Sequence, residues 1–442
     1  MSCSESAPLL ENGGHIGHRN LPFTRVVNFL KGEGEPSWTE SFKSFIFGTW
    51  FNILLVFVPL SFISHNMDWD VGLVFLFSSM AIVPLAKLLG EATDQLSVKL
   101  GETISGLLNA SFGNAVEIIV GVAALLNVNI CDRMSLDQMI GSILSNILLV
   151  LGCSFLAGGL YHKQGFFNGT GAQTCLMTLF CITLVVPAAY TSTTNAGMQN
   201  HCNNLDECPT AGLLFISRGT AILLLGVYCA YLWFQACSNI LFLQCTHPRV
   251  QLKSHPFLFT APSSPTAEQN SKVTVALAET EETEPRMGTA AAGVALLLVT
   301  VVIAFCAENL VASIEETAVR YSIPKAFIGV ILLPIVGNAA EHVTSVWMAM
   351  KNKYELTISI CVGSSIQISC LVVPPLVIVG WMYDHVLHLF LTNLQTTVLF
   401  ASVFLVNLLL MDGKVNYLEG LMLLTLYFVI ALASNLMFWK YQ

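Results

Sequence analysis

Two glutamates stand where the surrounding sequence leaves little room for charge. The stretch Gly113-Asn114-Ala115-Val116-Glu117 recurs 224 residues later as Gly337-Asn338-Ala339-Ala340-Glu341. Each copy sits in an apolar run long enough to cross a bilayer, from about 102 to 128 and from about 325 to 350. A carboxylate at that depth costs about 2.5 to 3.5 kcal/mol even on a lenient insertion scale, so it has a partner or a task. Two of them in matching contexts point to one shared site.

Such groups suit a small hard cation. Calcium takes about six to eight oxygens from carboxylates, amides, backbone carbonyls or water, and it tolerates irregular geometry. Glu117 and Glu341 supply charge. Asn114 and Asn338, three residues earlier and about one helical turn away, offer amide oxygens or hold the glutamates in place. Gly106, Gly113, Gly329, Pro334 and Gly337 allow close packing, or a local break that turns backbone carbonyls toward a cavity. A second matched pair, Gly141-Ser142-Ile143-Leu144-Ser145-Asn146 and Gly363-Ser364-Ser365-Ile366-Gln367-Ile368, lies on the following spans. From it Ser142, Ser145, Asn146, Ser364, Ser365 and Gln367, with Ser369 just beyond, form the polar complement. Two opposed carboxylates are near neutrality around one divalent ion and repel each other without it, so protons and the cation compete for the same oxygens. This competition predicts proton antiport. The blander reading, a hydrogen-bonded pair that only fixes the bundle, fits a lone glutamate better than a duplicated one.

The elements that position these groups are membrane helices. Hydrophobic residues make up 54% of the 442 and charged residues only 11%, against about 25% charge in a soluble domain. The expected fold class is all-α, a polytopic protein whose partner is the lipid bilayer. The net charge of −9 lies in tails and loops and forms no basic groove, so nucleic acid is not a partner. Residues 1–44 form a polar N-terminal tail. Spans are expected at about 45–66, 71–90, 102–128, 136–159, 173–192, 212–241, 289–310, 325–350, 356–381, 388–411 and 416–438, with a polar loop at about 243–288. That makes eleven transmembrane helices.

Setting the 45–66 span aside leaves five spans (71–241), the loop, and five more (289–438). An odd number per unit means that tandem copies lie upside down relative to each other, the inverted-topology plan of many secondary transporters. Spacing agrees with the count, since Glu91 lies 26 residues before Glu117 and Glu315 lies 26 before Glu341. With the N-terminus in the cytosol, fourteen of the 19 lysines and arginines fall on that side against four opposite, Arg218 being within a span. The same orientation places Asn168-Gly169-Thr170 in the cytosol, where it stays unglycosylated.

The remaining polar residues carry weaker signals. Glu91, Asp94, Glu308, Glu315 and Glu316 fall near span ends and serve either an access route or a plain interfacial role. His342 follows Glu341 on a different helical face, as a proton relay or a packing histidine. Asp137, Arg133 and Arg218 are lesser candidates. Glu279, Glu281, Glu282 and Glu284 in the central loop form a solvated linker face, or an acidic surface that gathers or senses a cation. The 13 cysteines lack zinc-type spacing and mostly act as small apolar residues, though Cys202 and Cys208 share a loop and could pair in an oxidising lumen. Glu5-Ser6-Ala7-Pro8-Leu9-Leu10 resembles an acidic dileucine sorting signal, which makes a sorting adaptor a candidate partner. A second copy of the chain, forming a homo-oligomer, is another.

The stretches Gly113 to Glu117, Gly141 to Asn146, Gly337 to His342 and Gly363 to Ile368, in an eleven-span plan with an acidic central loop, resemble the calcium/proton exchanger family of vacuoles and related compartments. That family lies within the calcium/cation antiporters, and the resemblance covers roughly residues 40–440. It implies exchange of cytosolic calcium for lumenal protons across the membrane of an acidic organelle, by alternating access and with no cofactor. It implies that Glu117 and Glu341 are the central cation and proton carboxylates. It also implies that the asparagines, Ser145 and Gln367 line or support the site, that the two motif-bearing helices of each unit form the cavity, and that the first span is peripheral. Sodium-driven relatives carry additional acidic ligands, and the absence of an aspartate beside Ser145-Asn146 favours protons as counter-ion. Alternatives are an antiporter with another counter-ion or a broader metal range such as manganese, a cation channel, and a membrane calcium sensor. There is no nucleophile, phosphate loop or catalytic metal pattern, so an enzyme is not expected.

Overall fold

The computed structural model describes residues 36–100, 108–109, 111–126, 133–162, 165–167, 171–198, 210–246, 287–383, 389 and 391–436. The expectations for Glu5–Leu10, Gly106, Asn168–Thr170, Cys202, Cys208 and Glu279–Glu284 fall outside those residues. The chain is built from helices: α1 (Trp38–Phe47), a 3₁₀ stretch leading into α2 (Phe57–Asn66), α3 (Val71–Leu100), α4 (Ala115–Leu126), α5 (Arg133–Leu144), α6 (Leu151–His162), α7 (Gly171–Met198) and α8 (Thr210–Thr246). After the central segment come α9 (Thr289–Arg320), α10 (Lys325–Gly337), α11 (Ala339–Met350), α12 (Tyr354–Gln367), α13 (Val373–Met382), α14 (Asn393–Leu410) and α15 (Tyr417–Leu436). Two short strands, β1 (Gly165–Phe166) and β2 (Lys414–Val415), pair antiparallel.

Among the described residues seven helices or continuous helical runs are long and apolar enough to cross a membrane, or nine if each of two bent pairs is one span. One bent pair differs from expectation. The run read as a span at 45–66 starts inside α1, which meets the following helix at 88°. Ser37 caps α1, accepting from Glu40 N, and Asn52 Nδ2 donates to the carbonyls of Phe45 and Ile46 at 2.9 Å. These bonds satisfy the carbonyls left open where the chain turns the corner. The helix expected at 71–90 continues to Leu100, and the one expected at 289–310 to Arg320.

These two long helices, α3 and α9, pack along their length and run antiparallel. At one end Arg320 meets Asp70 at 2.5 Å and the Tyr321 hydroxyl donates to Asp70 Oδ1 at 3.0 Å. At the other Met287 N donates to Gln95 Oε1 at 3.3 Å. The Gly72 N–H, then the Tyr321 hydroxyl and the Arg320 charge, hold the Asp70 carboxyl below its ordinary range. Between the two ends lies a core of small and branched side chains, including Ala81, Ile82, Leu85, Ala295, Leu296 and Ile303, which lets the helices approach closely.

The second core joins α5, α6, α12, α13 and α15. Here glycines decide the approach. A Cβ on Gly141 of α5 would lie 2.3 Å from the Val330 carbonyl and 2.6 Å from Pro334 Cγ, both in α10. A Cβ on Gly329 of α10 would lie 2.9 Å from Met134 and 3.1 Å from Asp137, both in α5. Further along, Gly158 of α6 abuts the Ala349 carbonyl of α11, and His162 Nε2 lies 2.7 Å from the Met350 carbonyl. The α5–α6 line therefore runs parallel to α10–α11. The α4 helix runs antiparallel to α5: Gly121, in its second half, packs on Ser135 and Met139, whereas Asn114, just before its start, is joined through Ser364 to Asn146 just past the far end of α5. It follows that α4 and α11, which carry the two copies of the motif, point in opposite directions.

Candidate functional site

Both motifs sit at helix breaks. Between α10 and α11 the axis bends by 57° at Asn338, and in the first copy a turn at Gly113-Asn114 precedes α4. The hydrogen bonds around the breaks match. Ile118 N donates to the Asn114 carbonyl at 3.1 Å, and His342 N to the Asn338 carbonyl at 3.0 Å. Each glutamate thus falls in the first turn of a half-helix that begins at a break within an apolar stretch, where free N–H groups and the positive end of the helix dipole favour negative charge.

The halves meet through these residues. Glu117 is 1% exposed, and a Cβ built on Gly337 would lie 3.1 Å from its Oε1, so the bare backbone of the second motif is what leaves room for the carboxylate of the first. Glu341 is half-buried. Oε1 of Glu117 and Oε2 of Glu341 are both enclosed without a hydrogen-bond partner. The asparagines reach across. Asn114 Nδ2 donates to Gln367 Oε1 at 2.5 Å, and its Oδ1 accepts from Ser364 Oγ at 2.9 Å. Ser364 Oγ accepts in turn from Asn146 Nδ2 at 2.9 Å. Asn338 Nδ2 donates to the Ser142 carbonyl at 3.2 Å, leaving its Oδ1 free.

The Gly-Ser segments run into π-helical turns at Ser145–Val150 and Ile368–Val372, and a third lies at Ile328–Leu332 in α10. Such turns widen the helix and release carbonyls from their usual partners, and they gather at functional sites. The oxygens Ser142 Oγ, Asn146 Oδ1 and Asn338 Oδ1 are buried and unpartnered, while Ser145 lies toward the Tyr427 hydroxyl of α15. Uncompensated buried polar groups cost about 1–3 kcal/mol each, which makes this concentration of them a ligand cradle in search of a cation or water. No three His, Cys, Asp or Glu side chains converge among the described residues, so the charge here is that of the two glutamates.

Some of the expected site residues stand apart. Ser365 Oγ donates to the Cys361 carbonyl of its own helix at 2.9 Å, and Ser369 does the same toward Ser365. Gly113 lies on the Asn109 carbonyl and Gly363 faces open space. His342 places Nδ1 2.8 Å from the Asn338 carbonyl and leaves Nε2 enclosed without a partner. Glu91 pairs with Lys87 at 3.0 Å and Glu315 with Lys325 at 2.6 Å, while Asp94, Glu308 and Glu316 are exposed. Asp137 accepts from Gln395 Nε2 at 2.7 Å, and Arg218 stacks over Trp381 at 4.6 Å. Sequence reasoning had no signal for the π turns or for the Asn114–Gln367 pairing, which joins residues 253 apart. It also passed over Gln138, a polar residue one helical turn before Ser142.

A family model described as sodium/calcium exchanger protein matches residues 70–237 and 291–435. A vacuolar calcium ion transporter of Schizosaccharomyces pombe is 40% identical over 437 residues, covering 97% of this chain and 92% of its own. Vacuolar cation/proton exchanger 3 of Oryza sativa subsp. japonica is 36% identical, covering 96% of this chain and 94% of its own. Among solved structures, native YfkE superposes with a TM-score of 0.67 at 30% identity, covering 87% of this chain and 99% of the other. The H+/Ca2+ exchanger CAX, at 14% identity and a TM-score of 0.56, shares the fold.

Proposed function

The chain belongs to the sodium/calcium exchanger protein family, and on that premise we propose that it is a secondary antiporter that moves cytosolic calcium into an acidic organelle in exchange for lumenal protons, with Glu117 and Glu341 as the carrier carboxylates. The observation that carries this reading is the cross-motif contact. The carboxylate of Glu117 lies against the bare backbone of Gly337, four residues before Glu341 in the second motif. Two negative charges balance one divalent ion. When the ion leaves, protons neutralise the same oxygens, so one cavity serves both cargoes in turn. The vacuolar exchangers that the chain resembles support the same reaction and compartment, and the Ca2+/H+ antiporter YfkE supports the same reaction.

Asn114 and Asn338 hold the two halves in register. Ser142, Asn146 and the free oxygen of Asn338 complete the calcium shell, and Gln367 and Ser364 fix Asn114. The opposite directions of α4 and α11, and the antiparallel α3–α9 pair, support two inverted five-helix units, 71–241 and 289–438, within an eleven-helix plan. Rocking one unit against the other alternates access to the fixed site. The 45–66 segment lies outside the repeats, the N-terminus and central loop face the cytosol, and Glu91 and Glu315 flank the approaches as ion pairs.

The test is calcium-45 uptake into proteoliposomes with an acidic interior and a lumenal pH dye, comparing wild type with Glu117→Gln and Glu341→Gln. Uptake coupled to lumenal alkalinisation, and lost in both variants, is the expected result. Uptake indifferent to the proton gradient refutes proton coupling, and uptake retained in either variant refutes the shared carboxylate site.

A further inference from the structure

One face of α5 carries more unpartnered polar atoms than the site accounts for. Gln138 is 2% exposed, and its Oε1 is enclosed with no hydrogen-bond partner. It lies four residues before Ser142, whose Oγ is likewise buried and unpartnered. At about 100° per residue these two side chains share an arc of roughly 40° on the helix. The arc has defined borders. On one side Ser135 and Met139 pack on Gly121 of α4, and on the other Met134, Asp137 and Gly141 pack on Gly329, Val330 and Pro334 of α10. The pair Gln138 and Ser142 therefore faces the seam between α4 and α10. That seam ends where Glu117, in the first turn of α4, meets Gly337, the last residue of α10.

Gln138 lies on the Arg133 side of Ser142, the lumenal side in the proposed orientation, about 6 Å along the axis at 1.5 Å per residue. It does not belong to the duplicated set. Aligning Gly141 with Gly363 places Ile360 at the matching position of the second unit. A buried amide oxygen without a partner is kept at a cost, and its presence on one side only points to a task that the two halves do not share.

We propose that Gln138 is a substrate-contacting residue of the lumenal half-path: its side-chain carbonyl, with Ser142 Oγ, takes a partly dehydrated divalent cation as it passes between the central carboxylates and the lumen. A neutral amide oxygen suits this step, since it replaces one hydration ligand without the charge that would hold the ion there. The inference rests on the antiporter reading, and its test separates the two.

The experiment measures calcium-45 flux in both directions in sidedness-controlled proteoliposomes of the full chain, for wild type, Gln138→Leu and Gln138→Glu, with thermal melts as a folding check. The expected result for Gln138→Leu is a fall of about tenfold in maximal uptake with cytosolic half-saturation within twofold of wild type. Gln138→Glu is expected to lower the lumenal calcium concentration that half-saturates efflux by about tenfold, an effect that loss of packing does not produce. Wild-type rates in Gln138→Leu, or unchanged lumenal half-saturation in Gln138→Glu, overturn the proposal while leaving the exchanger reading intact. If Gln138→Leu does not fold, the Gln138→Glu measurement decides alone. Absence of proton-coupled flux in the wild type is instead a failure of the functional reading.

Discussion

Gly337→Ala is the sharpest probe of the contact between the two motifs. The added methyl would lie 3.1 Å from Glu117 Oε1 and 3.8 Å from its Cδ. An ordinary carbon–oxygen contact begins near 3.4 Å, so the carboxylate must retreat by about 0.3 Å, and overpacking a tight site costs about 1–3 kcal/mol. The backbone pulls the other way. Gly337 ends a helical segment and has no left-handed φ, so alanine returns up to about 1 kcal/mol of helix propensity. The two effects nearly cancel in folding but not in binding, because in the proposed site the displaced oxygen is a ligand. A loss of about 1.4 kcal/mol at the site corresponds to tenfold weaker half-saturation for calcium. Calcium-45 uptake against cytosolic calcium concentration measures this, with a thermal melt alongside. The expected result is about tenfold higher half-saturation with a melting temperature within a few degrees of wild type. Gly363→Ala, whose Cβ meets open space, serves as the control and leaves both unchanged. Half-saturation within twofold of wild type in Gly337→Ala, in folded protein, refutes the assignment of Glu117 as a ligand held against the second motif.

Other outcomes follow from the same geometry. Gly141→Ala drives a methyl into the Val330 carbonyl, where no flexible side chain can yield, so it destabilises by about 1–3 kcal/mol or more and shows as a lowered melting temperature in detergent. Asn114→Ala removes the bonds to Gln367 and Ser364 that tie the two halves together, and is expected to reduce maximal uptake by about tenfold, at about 1.4 kcal/mol, with protein yield retained; wild-type turnover would show that the pairing is dispensable. At the α3–α9 clamp the sign is set by a depressed pKa. Such a carboxylate adds stability above its unfolded value and loses it as pH falls through the folded one. The melting difference between wild type and Asp70→Asn should therefore persist from pH 7 to pH 5 and vanish only below about pH 4. A difference already lost at pH 5 would mean that the Asp70 carboxyl is not held by Gly72, Tyr321 and Arg320.

Much of this protein was legible in its sequence because the bilayer constrains sequence so strongly. Long apolar runs must be helices there, and a glutamate inside one is too costly to be incidental. The repeated Gly-Asn-Ala-x-Glu pattern therefore pointed to one paired site, and the matched spacing of Glu91 and Glu315 pointed to a duplication. What the sequence determined was which residues carry charge and where along the chain the motif recurs. Tertiary structure decided how they meet. No pattern along the chain tells that Asn114 pairs with Gln367, that Gly337 is a glycine so that Glu117 fits, or that Ser365 spends its hydroxyl on its own helix, since these depend on which faces of antiparallel and parallel helices come together. The corner at α1 and the π turns were hidden for a related reason. Each depends on where backbone carbonyls find partners, and a hydropathy profile records side chains rather than the bonds of the main chain.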